Sequence, residues 1–291
     1  MLREGEILAD KKRVLHLLNV AGIGSVLAKY LNKMGYRAEA LYRSTNDPFR
    51  IQEVYSDFAH YSWLDSSFGF RVQALLKSLF VDVIHIHTSP FGSYIVKRVL
   101  PFKRVVFHCH GTTIRGKWEQ HRRAWEKADA IIVVDQTLLE GAPKNAILLE
   151  NPVDTEFFKD YGKKRLNKAL LPIKWHRSHM WRHIKPIADK MRREFSVEYE
   201  TWFVDEKFVN HAEMPSLLNQ YEYFMDIGHG FSDKEAILEG FFSALGLQAL
   251  ACGCKVFTPW IDSVFTEVPE RNKPENVIKN LDKIYSTMFI D

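Results

Sequence analysis

Asp82–Gly116 reads DVIHIHTSPFGSYIVKRVLPFKRVVFHCHGTTIRG, and Ala128–Phe158 continues ADAIIVVDQTLLEGAPKNAILLENPVDTEFF. Three apolar runs, Val83–Ile86, Arg104–Phe107 and Ala130–Val134, each end in polar or small residues. Stretches long enough for helices separate them. Strands of a parallel sheet are covered on both faces, so they read as unbroken apolar runs, and a crossover must join each to the next. The alternation therefore predicts a parallel α/β sheet. Ligands of such sheets sit beyond the carboxyl ends of the strands. His85, His87, His108 and His110 all fall at those ends. A buried polar side chain is costly unless it is bonded, and a polar ligand is one way to supply the bond.

Working outward, Arg13–Val20 and Arg37–Tyr42 are strands, with a helix from the Ala21–Ser25 turn to about Met34. Gly35 suits the helix stop. Asn46–Ser67 is loop-rich and aromatic, Phe70–Phe80 is helical and Ala146–Glu150 is a strand. In the second half, Ala169–Trp175, Glu200–Val204, Tyr223–Ile227 and Lys255–Thr258 are strands. Met180–Phe195, Pro215–Gln220, Ser243–Ala251 and Pro274–Phe289 are helices.

The ordered set DVIHIH, VVFHCHG, ADAIIVVD and ILLENPVDTEFF resembles the first domain and linker of GT-B glycosyltransferases, above all the retaining family 4 that uses nucleotide sugars. Asn151–Phe158 carries the likeness most strongly, and ALGLQALACGCKVF (Ala244–Phe257) is similar to that family's later helix and strand. The resemblance is good in the first half and degraded in the second. It implies two Rossmann-type α/β domains facing across a cleft. The first would span 1–152. The second, 153–291, would be shortened and would end in a helix returning to the first.

By the same resemblance, His110 would contact the donor sugar. His108, His85 and His87 are secondary candidates on strand ends lining the cleft. Arg177 matches the family's diphosphate-binding arginine, and Arg182 stands at the position of its lysine. Anchoring on Ala251-Cys252-Gly253 puts Gln248 where the family holds the ribose with a glutamate. The sugar-facing glutamate then falls on Gly240, one residue after Glu239, whereas anchoring on Glu239-Gly240-Phe241 restores it and shifts the ribose position to Leu247; Glu239 is the residue that would contact the sugar, with Glu235 more remote. The family's glutamate pair is thus not intact. Gly22-Ile23-Gly24 follows a strand and opens a helix, so its backbone can approach a phosphate. It lacks the third glycine and the acidic ribose ligand of a dinucleotide site.

Bulk properties narrow the class. The chain has 291 residues, net charge +4 and 46% hydrophobic content, as in a globular protein. Its three cysteines, Cys109, Cys252 and Cys254, make no disulfide framework and fit a reducing compartment. No run approaches the ~20 apolar residues of a membrane span. Cytoplasmic placement follows, free or peripheral to the inner face of the membrane. His176, His179 and His183 lack the acidic companion of a metalloprotease helix, so no metal and no cofactor is expected. The basic run Lys163–Arg182 with Trp175 and Trp181 carries no nucleic-acid module, which makes a nucleic-acid partner the least favoured reading.

The leading expectation is a glycosyltransferase moving a sugar, with retention, from a nucleotide sugar to a glycan, lipid or small molecule. The alternative is a catalytically degenerate relative that binds a nucleotide sugar or a partner without turnover. A nucleotide-sugar epimerase is a further reading on the same fold.

Overall fold

The computed structural model describes residues 12–111, 114–173, 181–204, 208–227, 242–258 and 264–290, with backbone alone at Phe91, Arg182 and His183. Seven strands form the first sheet: β1 (Arg13–Leu17), β2 (Arg37–Tyr42), β3 (Ala59–Tyr61), β4 (Val83–His87), β5 (Arg104–Cys109), β6 (Ala130–Val133) and β7 (Ala146–Leu148). Their order is β3-β2-β1-β4-β5-β6-β7, every neighbouring pair parallel. The chain leaves β1 toward one edge and returns at β4 toward the other. The gap between the ends of β1 and β4 is therefore the topological switch point, the place where open parallel sheets bind ligands.

The second sheet contains β8 (Leu166–Ile173), β9 (Glu198–Phe203), β10 (Tyr221–Met225), β11 (Lys255–Phe257) and β12 (Val264–Phe265) in the order β12-β11-β10-β8-β9. Only β12 runs antiparallel to its neighbour. The longer helices are α1 (Ile23–Lys33), α2 (Ser67–Ser78), α3 (Pro90–Val99), α4 (Trp181–Phe195), α5 (Ala244–Ala251) and α6 (Pro274–Thr287). Ser66, Ser89 and Ser243 each cap a helix through Oγ, accepting from the backbone N–H three residues on.

Alternation along the strands divides the first core. Val14, Val83 and Val106 face α1 and α6, packing with Leu27, Leu31, Ile278 and Leu281. Leu15, Ile84 and Val105 face α2 and α3. The helix α6 follows the second sheet in the chain yet completes the core of the first. Two strands were not expected from sequence: β3 inside the loop-rich segment and the two-residue β12.

A buried ion pair ties the linker to α1. The Asp154 carboxylate accepts from Lys29 Nζ at 2.7 and 2.9 Å and from Tyr30 Oη at 2.9 Å. It also accepts from the backbone N–H groups of Glu156 and Phe157, both at 3.2 Å. Burial disfavours its charge, but Lys29 and Tyr30 outweigh that and hold its pKa below the usual carboxylate value. A second contact between the halves is the His211 N–H bond to the Phe49 carbonyl, 2.8 Å.

Candidate functional site

The chain leaves β1 through a turn with positive φ at Leu18 (68°), Ala21 (49°) and Gly22 (82°). The Asn19 side chain bridges it, donating to Ser25 Oγ at 2.7 Å and accepting from Ser25 N at 3.1 Å. Gly22 sits immediately before α1 in the left-handed region, which glycine enters without steric penalty. A Cβ at Gly24 would lie 3.2 Å from both Asn19 Oδ1 and the Leu18 carbonyl, so this turn packs tightly.

Gly22 lines a narrow crevice with Tyr55, Asp154, Phe158, His211 and Gln248. Its volume is about 20 Å³, room for roughly one water. The crevice brings a βα turn of the first sheet against α5 of the second. Gln248 projects from α5 and is half-buried. His211 closes the crevice, stacked on Phe157 at 5.5 Å and edge-on to Phe158 at 5.3 Å. Burial depresses its pKa to about 4, against the opposing pull of Asp47 and Asp154. Its Nε2 is buried and, among the described residues, lacks a hydrogen-bond partner.

At the switch point five imidazoles gather. Register pairs His16 with His85, and His87 with His108. Two-residue spacing points His85 and His87 to one face, and likewise His108 and His110. That face is covered by α1 and α6. His16 Nδ1 meets His87 Nε2 at 3.1 Å, and His87 Nδ1 meets His110 Nε2 at 2.9 Å. Separately, His85 Nε2 meets His108 Nδ1 at 2.9 Å, and His85 Nδ1 meets Tyr285 Oη of α6 at 2.6 Å. Burial lowers every one of their pKa values, that of His16 and of His110 to about 3. For His85, His87 and His108 the neighbouring imidazoles add to the shift. The cluster is thus neutral, and each pairing is one N–H donating to one lone pair.

The structure therefore divides the residues singled out from sequence. Gly22 and Gln248 meet at one crevice, and Gly24 packs beneath the turn. His85, His87 and His108 have essentially no exposed surface: His85 bonds to His108 and Tyr285, and His87 to His16 and His110, while His110 keeps partial exposure just past the end of β5. Arg177, Glu235 and Glu239 lie outside the described residues, as does the side chain of Arg182. Sequence reasoning missed His16 and His211, and took Asp154 only as part of the Asn151–Phe158 linker motif. His16 was detectable as a lone polar residue in the apolar strand RVLHL; His211 gave no local signal.

A second cavity of about 360 Å³ opens at the ends of β1 and β4 on the opposite face of the first sheet. Leu17, Phe70, Leu75 and Ile95 make it largely apolar, and Arg43 and Arg71 line its rim. Beside it α2 exposes Phe68, Val72 and Leu76 at helical spacing, continued by Trp63, Phe80 and Phe102. Among the described residues no helix is long and apolar enough to cross a membrane.

Comparison with solved structures fits this layout. A glycosyltransferase from Rickettsia africae ESF-5 superposes with a TM-score of 0.52 at 12% identity, covering 96% of this chain and 89% of that one. The chain has the GT-B glycosyltransferase fold. The catalytic domain of starch synthase IV from Arabidopsis thaliana, bound to ADP and acarbose, gives a TM-score of 0.51 at 12% identity over 97% of this chain and 93% of that one. AviGT4, a glycosyltransferase involved in avilamycin A biosynthesis, gives 0.51 at 12% identity over 95% and 92%. The family model described as Glycosyltransferase Family 4 matches residues 26–157, so the sequence likeness of this GT-B chain lies in its first lobe. No curated protein matches it.

Proposed function

We propose that this GT-B chain transfers a sugar, with retention, from a nucleotide-sugar donor bound between its lobes. One observation carries the reading: the Gly22 turn and the α5 residue Gln248 line a common crevice. The crevice holds about one water as it stands, so a nucleotide would bind with the Gly22 turn and α5 moved apart, with backbone N–H groups on one side and a ribose acceptor on the other. In this reading the diphosphate lies near Arg177 and Arg182, whose charge stabilises the leaving group as it departs. The departing phosphate assists deprotonation of the acceptor, so the transfer step itself calls for no metal. Glu239 and His110 would contact the sugar. The ADP in the starch synthase IV structure supports the donor class, since that protein shares the fold.

The acceptor would enter from the first lobe, where the apolar cavity rimmed by Arg43 and Arg71 suits a molecule with an apolar body and an anionic group. The exposed apolar stripe of α2 supports a lobe resting on a lipid surface. Vesicle flotation tests this: Phe68→Ser with Leu76→Ser should release the protein from anionic vesicles, and unchanged flotation would remove the contact.

Calorimetry against a panel of nucleoside diphosphates tests the donor site. Binding with micromolar affinity is expected, and silence toward every member on folded protein would dispose of it. A second reading, binding without turnover, is favoured by glutamine at position 248, because a neutral amide holds a ribose hydroxyl less strongly than a carboxylate does. Donor hydrolysis separates the two: slow release of free sugar supports the transferase.

A further inference from the structure

We propose that His87, His108 and His110 hold one divalent transition-metal ion of the zinc class, with the fourth coordination position on the side where His110 reaches solvent. One ring nitrogen from each of the three lies within 4.8 Å of the other two. The His87 Nδ1–His110 Nε2 separation is 2.9 Å. Nitrogens bound tetrahedrally to zinc at about 2.0–2.1 Å lie roughly 3.3 Å apart. Replacing the shared proton by an ion therefore opens that pair by only a few tenths of an ångström.

Three further observations point the same way. His108 is buried and its Nε2 has no hydrogen-bond partner among the described residues. Buried polar atoms are nearly always bonded, and an orphan marks a site that water or an ion would complete. His87 Nε2 meets His16 at 3.1 Å and His108 Nδ1 meets His85 at 2.9 Å, outer partners of the kind that orient ligating imidazoles through their other nitrogen. The group also sits beside the topological switch point of the sheet.

The donor set selects the ion class. Imidazole suits zinc, copper and nickel, whereas magnesium and calcium need oxygen ligands. The group holds no carboxylate. Cys109 alternates to the other face of β5, packed with Phe107 and Trp118. Two positive charges consequently need an anion at the fourth position, either hydroxide or a phosphate oxygen. A second set of three, His16, His85 and His87, also has ligand-like spacing. It is fully buried, so an ion there would carry its charge unpaired into an apolar core. The outer set is preferred for that reason.

The test uses tag-free, metal-stripped protein without any nucleotide, so it stands apart from the donor reading. Titration with cobalt(II) should give one equivalent of tetrahedral visible absorption, displaced by zinc. His110→Ala should weaken binding by about a hundredfold or more, since loss of even an outer-shell partner costs about 10–100-fold. Replacing His176, His179 and His183 together should leave binding intact. X-ray absorption of the zinc-loaded wild type should show a nitrogen shell with at least three imidazole ligands, a readout that needs no variant to fold. Sub-stoichiometric binding, affinity unchanged in His110→Ala, binding lost with His176, His179 and His183, or a shell without imidazole would each overturn the assignment.

Discussion

Removing the Asp154 carboxylate tests what fastens the linker to the first lobe. The side chain is wholly buried and the Lys29 side chain is 15% exposed. Asp154→Ala would strip Lys29 of two contacts, Tyr30 of one and two backbone N–H groups of theirs. Breaking a buried pair from one side typically costs about 3–5 kcal/mol. Glu156 remains 3.2 Å from Lys29 and half-exposed, which places the expectation near the lower end, about 3 kcal/mol. For a chain of this size that corresponds to a fall of about 6–12 °C in melting temperature. Asp154→Asn keeps the hydrogen-bond acceptor and should lose roughly half as much. The pH dependence has a definite sign. A carboxylate whose folded pKa is depressed contributes fully above its unfolded value of 3.8, and that contribution disappears as pH falls through the folded value. The gap between parent and variant should therefore close in acid. Thermal melts with Lys29→Met as the partner mutation complete a cycle, in which the double variant loses less than the sum. A melting temperature within about 1 °C of the parent for Asp154→Ala would refute the reasoning.

His211→Phe keeps the ring stack and removes the orphaned Nε2. Its folded pKa of about 4 against 6.5 unfolded means stability drains away as pH falls below 6.5, so at about pH 5 the variant should gain roughly 2 kcal/mol more over wild type than at neutrality, read by urea unfolding. Tyr285→Phe leaves His85 Nδ1 buried without its partner and should destabilise by about 1–3 kcal/mol, detected as faster hydrogen exchange in α6; unchanged exchange would discount the bond. Gln248→Glu should tighten nucleoside diphosphate binding several-fold by calorimetry, and a loss of affinity would place the ribose elsewhere. Gly22→Ala forces a Cβ into φ 82° and within 3.3 Å of Ile51, and should cost about 1–2 kcal/mol in denaturant melts.

The longer strands of both sheets were legible because parallel strands buried on two faces leave continuous apolar runs, and their order along the chain, with helices between, fixes the class. β3 was hidden because a three-residue edge strand carries too short a pattern, and β12 is shorter still. The histidines were visible as strand-end residues, but not their direction. Alternation gives the face, whereas only the return of α6 to cover that face decides that His85, His87 and His108 are sealed in. Asp154 was read as part of a linker motif. Its role depends on Lys29 and Tyr30, far away in sequence, and no local pattern encodes that pairing. His211 likewise acquires meaning only from Tyr55, Phe157 and Phe158, which arrive from two other segments.

The route of α6 bears on how the molecule comes into being. Val277, Ile278, Leu281 and Tyr285 fill the core beneath β1 and β4, yet a ribosome makes them only after the whole of the other sheet. During synthesis the earlier half must wait with an apolar trough open and its imidazoles wetted, so the second half folds while its neighbour is unfinished. Closing that trough is a late, long-range event that joins the fates of both halves, and a chain cut before α6 would expose a sticky surface to its neighbours.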